Sequence, residues 1–183
     1  RNIKPEIIYL DKSFYPKLSG FLISRENAVK QPPKESKLKG TPKYSAPEIF
    51  VNLEYSKSSD IYSFALVMYE IMTNQIPFEK VQAIDCLHEV LCKKKIRPII
   101  DQKIPECYRN LIERCWCDDP KERPTFKDIV FTLKNNEEFI TENINQEEYR
   151  KYIEYIDSTP KEIHRNKGIK ELEELAILKT NRS

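Results

Sequence analysis

The sequence predicts a mainly helical domain built around one buried helix. Residues 60–73 are apolar around nearly the whole helical circumference, which is typical of a helix surrounded by protein. Apolar side chains also recur every three or four residues in three later segments, 81–91, 105–115 and 125–133. Such spacing favours amphipathic helices that cover a central one. The predicted fold class is therefore mainly α.

The remaining elements of the domain are predicted to be short. Residues 7–10 and 17–18 favour two strands, which we expect to form a small hairpin. Residues 25–39 contain two consecutive prolines and many lysines without any periodicity, so they predict a loop. Asn135 and Asn136 follow the last amphipathic segment and are expected to end the domain.

Five motifs follow one another along this part of the chain. The last, residues 115–126, places a Trp, an Asp-Pro turn and an Arg-Pro pair at fixed offsets. The four before it are residues 1–10, 16–22, 40–48 and 59–65. In this order the motifs resemble the catalytic loop, the metal-binding segment, the end of the activation segment, the central helix and the final conserved block of eukaryotic protein kinases.

The resemblance implies the large C-terminal lobe of a kinase, with a short β hairpin at the catalytic loop and without the small lobe. A kinase covers ATP with a Gly-rich loop, whereas this chain has only three glycines. We therefore expect a fragment with the lobe in residues 1–136 and a helical C-terminal extension in residues 137–183. Apolar residues recur at helical spacing in 149–156 and 169–178. These two stripes predict helices that either pack on the domain itself or form a partner-binding or linker segment.

Three positions that the resemblance assigns to catalysis carry other residue types. Asn2 stands at the position of the catalytic Asp, and its amide is too weak a base for a step worth about 10²–10⁴ in rate. Ile7 and Gly20 stand where oxygen ligands would hold magnesium, and neither side chain supplies an oxygen. Lys4 is retained, although a lone Lys is usually only solvated. The residues as written predict no cofactor, and Mg-ATP is implied by the family alone.

Positions that the resemblance assigns to the fold are retained. Glu48 and Arg123 would form a buried ion pair, and Trp116 belongs to the final motif. Asp60 would accept hydrogen bonds from the backbone of the catalytic loop. Two plainer interpretations stay open: Glu48 and Arg123 as surface charges, and Asp60 as an ordinary helix cap after Ser58-Ser59.

Hydroxyl groups in and beside the predicted loop are candidate phosphorylation sites. They are Ser24, Ser36 and Thr41, although a Ser in a polar loop is more often unmodified.

The motifs also indicate a subgroup of the kinase family. Lys4 and residues 40–42 resemble Ser/Thr kinases, whereas the Cys-Trp pair with Arg-Pro-Thr-Phe resembles tyrosine kinases. This mixture is typical of tyrosine-kinase-like Ser/Thr kinases.

Composition limits the classes of partner. The net charge of +2 is spread along the 183 residues, so no basic face for nucleic acid is expected. No apolar run has the length of a membrane span. The five cysteines favour reduced thiols and a cytoplasmic location. A protein partner is expected, for which another kinase or a signalling protein is the candidate.

Three hypotheses about function remain. The leading one is a pseudokinase that acts as a scaffold or an allosteric binding module, since catalytic positions are replaced while fold positions are kept. The alternative is an active ATP-dependent Ser/Thr kinase of the tyrosine-kinase-like group, in which other side chains or a partner rescue the atypical loop. The third is a decaying gene whose fragment does not fold alone.

Overall fold

The computed structural model describes residues 1–24, 37–81, 83–142 and 144–158. The chain divides into two compact units, Arg1–Phe139 and Ile140–Ser183. The described residues form six α-helices: α1 (Pro47–Asn52), α2 (Lys57–Thr73), α3 (Ile84–His88), α4 (Glu106–Cys115), α5 (Phe126–Asn135) and α6 (Gln146–Ser158). Two strands, β1 (Ile8–Leu10) and β2 (Pro16–Leu18), form an antiparallel sheet. The prediction of a mainly helical fold with two short strands is confirmed.

The turn between the strands is stabilised by one carboxylate. Asp11 Oδ1 accepts hydrogen bonds from the backbone N–H groups of Ser13 and Tyr15, both at 2.9 Å. Local bonding of this kind is what makes Asp a common turn residue. The prediction was wrong by one residue at the start of each strand, since Ile7 closes a 3₁₀ turn (Pro5–Ile7) and β2 starts at Pro16.

Helix α2 forms the centre of the core, as predicted from its apolar circumference. Nine of its 17 residues are buried. It begins three residues earlier than Asp60, because Ser56 and Ser59 form a capping box in which each side chain bonds the backbone of the other residue. Asp60 thus lies in the first turn of α2, and its interpretation as the helix cap was wrong.

The amphipathic segment 81–91 does not form the single helix that its spacing predicts. It contains α3, which continues as a π-helical turn over Glu89–Lys93. The wider turn bonds the Lys94 N–H to the Glu89 carbonyl, five residues back, and Lys95 then leaves the helix with a φ of +54°. Apolar spacing alone cannot separate these two helical geometries, because both keep a similar face buried.

The described part of the second unit contains helix α6, which includes the predicted apolar stripe at 149–156. Asn145 Oδ1 accepts hydrogen bonds from the backbone N–H groups of Glu147 and Glu148, at 3.0 and 3.2 Å, where α6 begins. The stripe at 169–178 lies outside the described residues. Among those that are described, no helix combines the length and apolar content that crossing a membrane would require.

Candidate functional site

The first loop of the chain contacts the segment at residues 40–41. Thr41 donates a hydrogen bond from Oγ1 to Asn2 Oδ1, at 3.0 Å. Gly40 has a φ of +90°, and a Cβ at this position would lie 2.5 Å from the Arg1 carbonyl oxygen. Only glycine allows so close an approach. The structure therefore brings Asn2 and the candidate phosphorylation site Thr41 together, with the Thr41 hydroxyl already engaged.

Asp60 reaches the backbone of the same loop. Its Oδ1 lies 2.9 Å from the Arg1 backbone nitrogen. Because Asp60 occupies the first turn of α2, its negative charge also lies at the favourable end of the helix dipole. One carboxylate thus connects the central helix to the loop that carries Asn2.

Ile7 and Gly20, the positions at which the resemblance implies metal ligands, lie side by side. A Cβ added at Gly20 would meet Ile7 Cγ2 at 3.1 Å, and Gly20 itself has a φ of +71°. Ser19 holds the two segments together, because its N–H and Oγ–H donate to the Ile7 carbonyl at 2.9 and 3.2 Å. A methyl group and a glycine hydrogen therefore face each other at the two positions where the resemblance implies oxygen ligands.

Other donor sets for a metal are equally missing from the described part of the chain. No group of three or more His, Cys, Asp or Glu side chains in these residues could hold a metal ion. Lys4 is half-buried in extended backbone just before the 3₁₀ turn Pro5–Ile7. Within the described residues, the side chains at positions 7 and 20 do not fit the Mg²⁺ that the resemblance implies.

Glu48 and Arg123 form a bidentate ion pair. Arg123 Nη1 lies 2.8 Å from Glu48 Oε1, and Nη2 lies 2.9 Å from Oε2. The Arg123 side chain is completely buried and also donates to the carbonyl groups of Cys117 and Ser58. The interpretation of Arg123 as a surface charge was wrong. Planar, two-point pairing of this kind is specific to arginine and fixes α1 relative to the 115–126 motif.

Trp116 is buried, and its backbone contacts one of two arginines that lie close to a buried tyrosine. The guanidinium groups of Arg97 and Arg123 lie 5.3 and 5.1 Å from the centroid of the Tyr62 ring of α2. Arg97 also donates from Nε to the Trp116 carbonyl, at 3.1 Å. Burial raises the pKa of Tyr62, whose hydroxyl is fully enclosed. Sequence reasoning missed Tyr62 and Arg97 as contact residues, because their partners are distant along the chain.

A second tyrosine pairs with an acid of α2. Tyr44 donates from its hydroxyl to Glu70 Oε2 at 2.5 Å. Burial, reinforced by this carboxylate, raises the pKa of Tyr44, so the phenol stays protonated.

The two remaining candidate phosphorylation sites, besides Thr41, are serines. Ser24 is exposed after the 3₁₀ turn Phe21–Ile23, and Ser36 lies outside the described residues.

Comparison with known proteins identifies related sequences. The family model described as protein tyrosine and serine/threonine kinase matches residues 1–133. Dual specificity protein kinase shkC of Dictyostelium discoideum is 38% identical over 137 residues, which cover 73% of this chain and 26% of that protein. The probable serine/threonine-protein kinase drkC of the same organism is 31% identical over 135 residues, covering 73% of this chain and 18% of the relative. The chain thus spans about a quarter or less of these relatives.

Proposed function

Because the chain belongs to the protein tyrosine and serine/threonine kinase family, we propose that it forms the large lobe of a kinase fold that acts by binding instead of transferring phosphate. The observation that carries this proposal is the contact between Ile7 and Gly20. Kinases depend on magnesium to neutralise the charge that develops on the transferred phosphate. Hydrocarbon at both ligand positions leaves these residues unable to hold that ion.

Asn2 supports the same conclusion through its hydrogen bond. A general base needs a lone pair that is both basic and free to receive the proton of the attacking hydroxyl. The Asn2 amide oxygen is weakly basic, and it already accepts a hydrogen bond from the Thr41 hydroxyl. This side chain is suited to holding the 40–41 segment in place, and it is not suited to removing a proton.

The proposed activity is that of a scaffold or allosteric module in residues 1–136, followed by a helical extension in residues 137–183. The bonds around Arg123 support it, because a binding module needs a rigid surface and has no need of the metal. The partner is proposed to be another protein in the cytoplasm, with kinases and signalling proteins as the first candidates.

Phosphate transfer by the intact protein that contains these residues tests the proposal. With radiolabelled Mg-ATP and a general protein substrate, we expect the wild type to incorporate no more phosphate than a Lys4→Ala variant. Incorporation by the wild type that Lys4→Ala abolishes would overturn the proposal. It would favour the second candidate, an active Ser/Thr kinase of the tyrosine-kinase-like group, which the names of the relatives support.

Restoring the metal ligands provides an independent measurement. An Ile7→Asn, Gly20→Asp double variant is expected to gain Mn²⁺ binding in the presence of a non-hydrolysable ATP analogue, detected by electron paramagnetic resonance. Asp tolerates the positive φ of position 20 better than most residues, and replacing Ile7 removes the methyl group in its way. An Ile7→Leu, Gly20→Ala variant perturbs the same backbone without adding oxygen. Equal Mn²⁺ binding by the wild type would contradict the assignment of these positions.

A further inference from the structure

A small polar cavity lies where the first loop meets the start of α2. Its volume is about 10 Å³, which is about the room that a single water molecule needs. Asn2 of the first loop and Asp60 of α2 both line it. Its inner wall is closed to bulk solvent, because the lining residues Ser45, Ser59 and Ser63 are buried. We refer to this space as the loop cavity.

Three of the hydroxyl groups around the loop cavity are left as hydrogen-bond acceptors. A hydroxyl has a single hydrogen to donate, and in these three it is already used within the protein. Ser45 donates to the Thr41 carbonyl at 3.2 Å, and Ser63 donates to the Tyr44 carbonyl at 2.7 Å. Thr41 donates from Oγ1 to Asn2 Oδ1 at 3.0 Å. An occupant of the cavity must therefore donate hydrogen bonds to these oxygen atoms.

Asp60 and Asn2 each have one polar atom left over. The Asp60 carboxylate uses Oδ1 for the Arg1 backbone nitrogen, at 2.9 Å, so Oδ2 remains as an acceptor. The Asn2 amide uses Oδ1 for Thr41, so the two hydrogens of Nδ2 remain as donors. Neither Oδ2 nor Nδ2 has a hydrogen-bond partner in the part of the chain that the structure describes. The lining thus combines several acceptors with an amide donor, which suits a molecule that both donates and accepts.

We propose that the loop cavity binds one internal water molecule, which accepts a hydrogen bond from Asn2 Nδ2 and donates one to Asp60 Oδ2. The second hydrogen of the water goes to a lining hydroxyl oxygen, which gives the three hydrogen bonds that are usual for a buried water. A carboxylate at position 2 has no hydrogen to donate, so this role requires the amide. The water joins the first loop to the central helix and completes the contact that Asp60 makes with the backbone of that loop.

A crystal structure of the intact protein tests the water site directly. We expect one peak of electron density in the loop cavity, within hydrogen-bond distance of both Asn2 Nδ2 and Asp60 Oδ2, at about 2.5–3.2 Å. A cavity without density would overturn the proposal. A peak that is surrounded by oxygen atoms and does not reach Nδ2 would indicate a bound cation, and would overturn it as well.

Exchanging the two side chains supplies a second measurement, by urea unfolding. Asn2→Asp removes the donor and places a second carboxylate at the cavity, whereas Asp60→Asn removes the carboxylate that the water needs. The double variant again has one amide and one carboxylate there. We therefore expect its loss in the free energy of unfolding to be smaller than the sum of the two single losses.

A matched control combines Asp60→Asn with Asn110→Asp, because Asn110 is an exposed residue of α4. The losses in this control pair are expected to add. Additive losses in the Asn2 pair too would mean that Asn2 and Asp60 share no bridge, and would overturn the proposal. Neither measurement involves phosphate transfer, so the water site and the proposed function can fail separately.

Discussion

The environment of Arg123 and the loop-and-hairpin region, residues 1–24, use their polar side chains differently. Around Arg123, a completely buried guanidinium meets a carboxylate and two carbonyl groups. In the loop-and-hairpin region, Ile7 and Gly20 meet through hydrocarbon at the positions of expected metal ligands. The polar contacts of Arg123 therefore do not involve Ile7 or Gly20, so those two positions can change without removing the ion pair.

Asn2 shows how the two sets meet in one loop. Its amide oxygen accepts a hydrogen bond from the Thr41 hydroxyl, which is a structural task that needs no charge. A neutral amide performs it without the cost of desolvating a carboxylate. An amide at position 2 therefore holds Thr41 on the first loop without supplying a basic group.

The largest expected effect is that of breaking the Glu48 pair from the arginine side. Arg123→Ala leaves the Glu48 carboxylate, which is only 13% exposed, without its bidentate partner. We expect the free energy of unfolding to fall by about 3–5 kcal/mol, as for other buried pairs with one partner removed. Urea unfolding followed by circular dichroism measures this loss.

Arg114→Ala is the matched control for Arg123→Ala. Arg114 is an exposed arginine of α4, so its removal should change the free energy of unfolding by less than about 0.5 kcal/mol. Similar losses in both variants would mean that Arg123 stabilises the fold no more than a surface charge does. The contrast between the two regions would then be wrong.

The longer helices were predictable from the sequence, because the apolar spacing that predicts each helix lies within the helix itself. Helices α2, α4 and α5 follow from apolar spacing within 10 to 17 residues. The start of α2 was missed because its capping box uses Ser59 in place of the usual Glu or Gln. Helix α1 was missed because six residues are too few to show a period.

The contacts of the site were less predictable than its positions. Resemblance placed Glu48 and Arg123 as a pair although they are 75 positions apart, a separation that no local pattern can bridge. The hydrogen bonds from Tyr55 to Lys39 and from Arg1 to Ile23 were not foreseen, because the partner in each is a backbone group that every residue possesses. The contact between Ile7 and Gly20 likewise depends on the fold and not on either residue type.

A smaller effect is expected from the buried thiol beside Trp116. Burial raises the pKa of Cys115 from 9.0 to about 12. The unfolded thiol therefore ionises above pH 9 while the folded thiol stays protonated, so stability is retained below pH 9 and lost as the pH rises toward 12. Between pH 9 and pH 11 this group alone should remove roughly 2–3 kcal/mol from the free energy of unfolding.

The measurement compares urea unfolding at pH 9, 10 and 11 in the wild type and in Cys115→Ala. The cavity left by the variant lowers stability at every pH, whereas only the loss of the thiol changes the slope. We expect the wild type to lose stability more steeply with rising pH. Parallel slopes would show that the interior around Trp116 is open to water, unlike the enclosed environment described for Arg123.

The smallest expected effect is the difference in stability between alanine substitutions at two glycines, Gly20 and Gly40. Gly20 and Gly40 both have positive φ, so an alanine at either position is strained by about 1–2 kcal/mol. At Gly20 the new Cβ meets the Ile7 side chain at 3.1 Å, which can give way, whereas at Gly40 it meets the Arg1 backbone carbonyl at 2.5 Å. Gly40→Ala should therefore cost about 1–2 kcal/mol more than Gly20→Ala in urea unfolding, in the range of other overpacked sites. Equal costs would mean that the Ile7 contact is as rigid as the backbone contact. Ile7 and Gly20 would then belong to the framework of the fold, and the proposed separation between structural and chemical residues would not hold in this loop.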